Sequence, residues 1–191
     1  MKISAGQLKG RNLSSSKALR LAKSRDELRP TSSKVRESIF NIIGDRIRVS
    51  RFVDLYAGTG AIGIEAVSRG AGMVFFIEAD QKRAELIEDM LKDCSCFERA
   101  EIINSKAADF IKSAERDGSK FDIIFLDPPY HGGELESALS LLADAALINE
   151  EGILIAEHLS KKRLPDEMGR LVKKKDYKYG DTMLTLFRKK Q

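Results

Sequence analysis

The sequence predicts a doubly wound, mostly parallel α/β sheet, with an antiparallel C-terminal hairpin strand and a small N-terminal extension. Three observations carry this. From Phe52 onward, short apolar runs alternate with helical stretches, the order that builds a parallel sheet with helices on its faces. The runs are apolar without alternation, as strands covered on both faces must be. The first of them leads directly into a glycine-rich turn and then a helix.

Residues 52–56 read as the first strand, 61–69 as a helix and 73–78 as the second strand. The next helix, 81–93, places Ala84, Ile87 and Leu91 on one face. A strand at 100–103, a helix around 107–114 and a strand at 123–126 follow. Residues 134–147 read as a helix with Leu135, Ala138, Leu139 and Leu142 at i, i+3, i+4 and i+7, and 152–156 as another strand. At the C-terminus, 171–179 and 182–188 are extended stretches separated by Gly180-Asp181, the spacing of a hairpin. Ahead of Phe52, residues 1–13 look extended with a turn near Gly10, 14–28 read as a Ser/Lys-rich mobile loop, and 34–43 as a helix. Val35, Ile39, Ile42 and Ile43 form its apolar stripe, Gly44 its C-cap, and Lys34 and Arg36 face elsewhere. The expected division is a basic extension over 1–51 and one main domain over 52–191.

At 191 residues the chain can bury a full core, and 42% hydrophobic with 32% charged residues excludes global disorder. No apolar run approaches a membrane span, and Met1-Lys2-Ile3-Ser4 lacks the pattern of a secretory signal. Cys94 and Cys96 make neither a disulfide framework nor a four-ligand zinc site, so free thiols in a reducing cytoplasm are expected. His131 and His158 are too isolated to argue for a metal, and none is expected. Charge is segregated: residues 1–51 carry +9, 52–160 carry −12 and 161–191 carry +7. Basic ends on an acidic body fit a polyanionic partner, and equally an ordinary solvated surface.

Two loops carry chemistry. The first strand runs into Ala57-Gly58-Thr59-Gly60-Ala61-Ile62-Gly63, with Glu78 about 20 residues after Gly58, which satisfies the dinucleotide-binding spacing. A dinucleotide would place its pyrophosphate on the helix N-terminus. S-adenosylmethionine needs the same turn without phosphates, and benefits from acids near its cationic end and its ribose hydroxyls. Asp54 suits the first of these roles and Glu78 the second, whereas the plain alternatives are a loop-capping acid and a strand-end surface acid. The second loop, Asp127-Pro128-Pro129-Tyr130, ends an apolar strand. Two prolines make a stiff ledge of fixed carbonyls. With a carboxylate at one end and an aromatic ring at the other, it suits a planar ring bearing an exocyclic amine. The alternative is a strand end with Tyr130 as packing.

With these motifs in this order, the chain resembles S-adenosylmethionine-dependent methyltransferases acting on exocyclic amines, which implies a Rossmann-like methyltransferase sheet. Gly6-Gln7-Leu8-Lys9-Gly10-Arg11-Asn12-Leu13, Arg29-Pro30-Thr31, Val35-Arg36-Glu37-Ser38-Ile39-Phe40-Asn41 and Gly63-Ile64-Glu65-Ala66-Val67-Ser68-Arg69-Gly70-Ala71 narrow the resemblance. They resemble the bacterial small-subunit (16S) ribosomal RNA guanine-N2 methyltransferases of the RsmD type, over nearly the whole chain. The resemblance implies S-adenosylmethionine as cofactor, held by Asp54, Ala57, Gly58, Thr59, Gly60, Glu78 and Ala107. It implies that Asp127, Pro128, Pro129 and Tyr130 grip the guanine amine. Lys9, Arg11, Arg29, Lys34 and Arg36 are the candidates for phosphate contacts with ribosomal RNA, free or within a small subunit, and a monomer is favoured. Three positions depart from the family, the first two being Tyr56 and Thr59, which stand where it often has Phe and Ser. Lys106 stands before Ala107 where related chains carry Asp or Asn, and a lysine cannot accept the adenine amine's hydrogen bond. Backbone near Ala107 or Asp109 is left for that contact.

Rival readings are an amine methyltransferase acting on adenine N6 or a protein glutamine, an NAD-dependent oxidoreductase favoured only by the glycine spacing, and a non-catalytic RNA-binding factor.

Overall fold

The computed structural model describes residues 2–12, 32–130 and 132–190. Eight strands form one sheet in the order β3-β2-β1-β4-β5-β8-β7-β6. The parallel part comprises β1 (Arg51–Asp54), β2 (Met73–Glu78), β3 (Ala100–Asn104), β4 (Phe121–Leu126) and β5 (Ile148–Leu159). The antiparallel part comprises β6 (Glu167–Met168), β7 (Leu171–Tyr179) and β8 (Thr182–Lys189), with β8 pairing directly to β5. The expected hairpin therefore contributes two strands and a short third. β5 extends beyond the expected 152–156 at both ends, which moves the preceding helix boundary back to Asp144.

Among the described residues, five α-helices cover the sheet: α1 (Ser33–Ile43), α2 (Ala61–Ser68), α3 (Gln81–Asp93), α4 (Ala107–Arg116) and α5 (Glu134–Asp144). Their ends follow capping chemistry. Ser32 Oγ accepts from Val35 N at 3.2 Å to start α1, and Gly44 closes it at φ +59°. Asp80 Oδ1 accepts from Arg83 N at 3.1 Å to start α3. Helices α1, α2 and α3 share one core with Phe52, Phe76 and Ile123, while α4 and α5 share the other with Phe121, Ile124 and Leu154. Each fully buried Phe in these cores contributes about 1.5–3 kcal/mol.

The N-terminal residues belong to the first core through Ile3 and Leu8. Residues 2–12 form a small hairpin, with Lys2 bridging Asn12 and Gly10 N donating to Ile3 O at 3.0 Å. It is pinned to α2. Glu65, 1% exposed, accepts from Ser4 N, Ser4 Oγ and Ala5 N at 3.0, 2.6 and 3.0 Å, and pairs with Arg69 Nε at 2.9 Å. Gly6 lies so close to α2 that a Cβ there would sit 1.9 Å from Ser68 O, and its φ of +83° also requires glycine. Arg36 does not face away from the core as its position off the stripe suggested. It is buried, donates to Lys2 O at 2.9 Å and lies 3.9 Å from Glu65 Oε2.

Candidate active site

Strand order reverses between β1 and β4, and ligands in open α/β sheets bind beyond the carboxyl ends of strands at such a point. Leu55 N donates to Phe125 O at 2.9 Å, so the glycine loop after β1 and the Asp127–Tyr130 ledge after β4 leave the sheet side by side. The loop is shaped by Gly58 at φ +56° and Gly60 at φ +73°, and Ala57 N anchors it to Ile77 O at 2.9 Å. Gly63 lets α2 close on the sheet, since a Cβ there would meet the Phe76 ring at 2.1 Å. Thr59 sits half-buried in the loop between Gly58 and Gly60.

Both proposed acids hold this loop. Asp54, 1% exposed, accepts from Gly63 N at 2.9 Å, which is the loop-capping role. Glu78 is buried and not a surface acid: its two oxygens accept from Gly58 N and Asp80 N, each at 2.8 Å, and Arg83 Nε lies 3.7 Å away. Burial pushes the Asp54 carboxyl up to about 7 against the opposing Gly63 N–H, with the charges of Asp127 and Glu78 adding to the rise. Asp54 and Glu78 on the loop, with the Asp127 charge nearby, suit a cationic ligand and repel a pyrophosphate. This donor set fits S-adenosylmethionine.

The Asp54 shift sets a pH dependence. Its contribution to stability is fully present below the ordinary value of 3.8 and is lost as pH rises through about 7. A cationic cofactor favours the ionised form, so affinity for S-adenosylmethionine rises by about tenfold from pH 6 to pH 8, matching about one unit of titration. Calorimetry at the two pH values, with proton release read from buffers of different ionisation enthalpy, checks this.

Of the residues expected near the adenine, Lys106 is exposed and caps α4 without a side-chain hydrogen bond, Ala107 is buried, and Asp109 is exposed in the first turn. The nearby Asn104 Nδ2 donates to Glu78 O at 2.9 Å. Of the residues expected to hold the substrate amine, Asp127 is half-buried, Pro128 buried, Pro129 exposed and Tyr130 half-buried. A groove beside the ledge is lined by Pro128, Pro129, Tyr130, Leu135 and Glu157. Glu157, at the end of β5, was not among the residues expected in the site. The signal was present: it continues the apolar run 153–156, where a charge inside a covered strand requires a reason.

Of the basic candidates, Lys9, Arg11 and Lys34 are exposed, and Arg29 lies outside the described residues. Arg11 also reaches Cys94, where its charge acts on the thiol. Arg36 is committed to the hairpin rather than to the surface.

Fold and site together define a Rossmann-like, S-adenosylmethionine-dependent methyltransferase. The chain belongs to the family of ribosomal RNA small subunit methyltransferase D, matched over residues 1–188 by the family model described as conserved hypothetical protein 95. It is 34% identical to the Bacillus subtilis "Putative rRNA methyltransferase YlbH" over all of both chains. It is 37% identical to the Haemophilus influenzae ribosomal RNA small subunit methyltransferase D, over 68% of this chain and 67% of that one. The solved Escherichia coli "Putative methyltransferase yhhF" is 29% identical and superposes with a TM-score of 0.83, covering 100% of this chain and 98% of the other.

Proposed function

We propose that the protein transfers the methyl group of S-adenosylmethionine to the exocyclic N2 amine of a guanine in small-subunit (16S) ribosomal RNA. The observation that carries this reading is the adjacency of the acid-lined glycine loop and the Asp127–Tyr130 ledge at one switch point. The relatives named for small-subunit ribosomal RNA support the polymer, and the motif resemblance supports guanine N2.

When bound, the cofactor supplies an electrophilic methyl on a positive sulfur. Asp54 and Glu78 hold the loop that receives its methionine and ribose parts. The guanine N2 lone pair is delocalised into the ring and is a poor nucleophile. Asp127 and the Pro128 carbonyl accept from the two amine hydrogens, which turns the lone pair toward the methyl and favours the positive charge developing on nitrogen. Tyr130 stacks on the base, worth about 1–3 kcal/mol. The base must leave its own stack to enter.

The test is incubation with labelled cofactor of deproteinised small-subunit RNA and of intact subunits, followed by nucleoside analysis. Label in N2-methylguanosine is expected. Label in N6-methyladenosine or in protein transfers the assignment to the rival amine, and no label in either substrate overturns it.

The basic head extends the reading to RNA binding. Lys9→Glu with Lys34→Glu raises the KM for RNA several-fold and steepens no cofactor dependence, because phosphate contacts act on the polymer alone. An unchanged RNA KM in steady-state assays removes both residues from the RNA surface.

A further inference from the structure

We infer that Glu157 reads the base beside its target amine, accepting the guanine N1–H while Asp127 holds the N2 amine, and so selects guanine over adenine. The inference rests on the function proposed above and deepens it. Register places the two acids together: Leu126 of β4 pairs with Ala156 of β5, so Asp127 and Glu157 each stand one residue beyond that pair. Parallel strands in register put both on the same side of the pleat, about 4.8 Å apart in the pairing direction. On guanine, N1–H and the N2 amine are neighbouring donors on one edge. Two neighbouring carboxylates match them. Adenine presents its N6 amine beside N1, which is an acceptor and would be repelled by a second carboxylate.

Glu157 has the features of a residue kept for a ligand. It is 4% exposed, it lines the groove with Pro128, Pro129 and Tyr130, and its Oε2 is buried without a hydrogen-bond partner among the described residues. An unsatisfied buried acceptor is costly unless something arrives to satisfy it. Its β8 neighbour is the apolar Leu184, which offers no donor side chain. The charged and titratable groups around it are Asp127 just past β4, Tyr130 on the ledge, Glu134 and Glu136 at the start of α5, and His158 and Lys162 on its own strand and beyond. Lys162 is engaged with Glu136, and burial holds His158 below its ordinary value. Burial and the Asp127 charge raise the Glu157 carboxyl well above the ordinary carboxylate range. The N1–H is best accepted by the ionised form. A hydrogen bond from N1–H to a carboxylate also returns electron density to the ring and makes N2 a better nucleophile.

Glu157→Gln tests this with the side-chain shape preserved. Methyl transfer to small-subunit RNA is measured at saturating cofactor from pH 6 to 9.5, alongside S-adenosylhomocysteine affinity and nucleoside analysis of the product. Wild-type kcat/KM for RNA should rise with pH through a step above neutrality. Glu157→Gln should lack that step and fall about tenfold below wild type on the alkaline side, with S-adenosylhomocysteine affinity kept within about twofold. A variant that follows the wild-type profile overturns the role of Glu157, as does one that loses cofactor affinity in proportion to rate. If wild-type label falls on a nucleoside other than N2-methylguanosine, the guanine assignment itself fails, and the edge reading fails with it.

Discussion

Asp127→Ala lowers methyl transfer by about two to three orders of magnitude, the range seen when a preorganised partner of the developing charge is removed. S-adenosylhomocysteine affinity changes by less than about tenfold. The separation follows from position. Asp127 stands just past β4, next to the Pro128–Tyr130 ledge that lines the groove, whereas the cofactor loop is held by Asp54 at Gly63 N and by Glu78 at Gly58 N. Removing the Asp127 charge also relieves Asp54 and Glu157, whose carboxyls it raises. The steep part of the pH dependence of cofactor binding therefore moves to lower pH in the variant. Single-turnover kinetics with a parallel binding titration reads both effects. A variant with near wild-type turnover would show that the amine is oriented by backbone alone.

Glu65→Ala destabilises the protein by about 3–5 kcal/mol, the cost of leaving a buried ion-pair partner without its counter-charge. Arg36 and Arg69 both lose it, and Ser4 and Ala5 lose the acceptor that holds their N–H groups. The released hairpin carries Lys9 and Arg11, so the variant's KM for RNA rises even where it remains folded. Denaturant unfolding and RNA kinetics together check this. A loss below about 1 kcal/mol would mean that the hairpin is held by Ile3, Leu8 and Ser68 without the acid.

The parallel sheet and the positions of both loops were legible because their signals are local. Apolar runs without alternation, glycines at a turn and two prolines at a strand end each act within a few residues. The boundary that moved did so for a non-local reason: β5 runs on to Leu159 because β8 pairs with its residues 153–159, a partner 23 to 35 residues distant in the chain. The side chains that were missed likewise have partners outside their own elements. Arg36 looked surface-bound because its helix stripe lies elsewhere, but Lys2 and Glu65 approach it from outside its own helix. Glu65 could have been found from α2 alone. Seven of the eight residues of that helix are buried, so an acid within it demands a counter-charge. Glu157 offered the same clue on a strand. In both cases a charge inside an apolar element marks a function that periodicity does not describe.

Helix α2 starts at the cofactor loop and ends at the hairpin that bears the basic head. Its eight residues measure about 12 Å, held near its start by Asp54 at Gly63 N and tied to the hairpin from its middle and end by Glu65 and Ser68. On the function proposed above, it sets the distance between the hairpin that carries Lys9 and Arg11 and the loop expected to hold the cofactor. Adding one residue would swing the far anchor by about 100° and lengthen the reach by about 1.5 Å. On that proposed reading, such a change would shift the hairpin relative to the cofactor loop and with it the nucleotide presented for methylation.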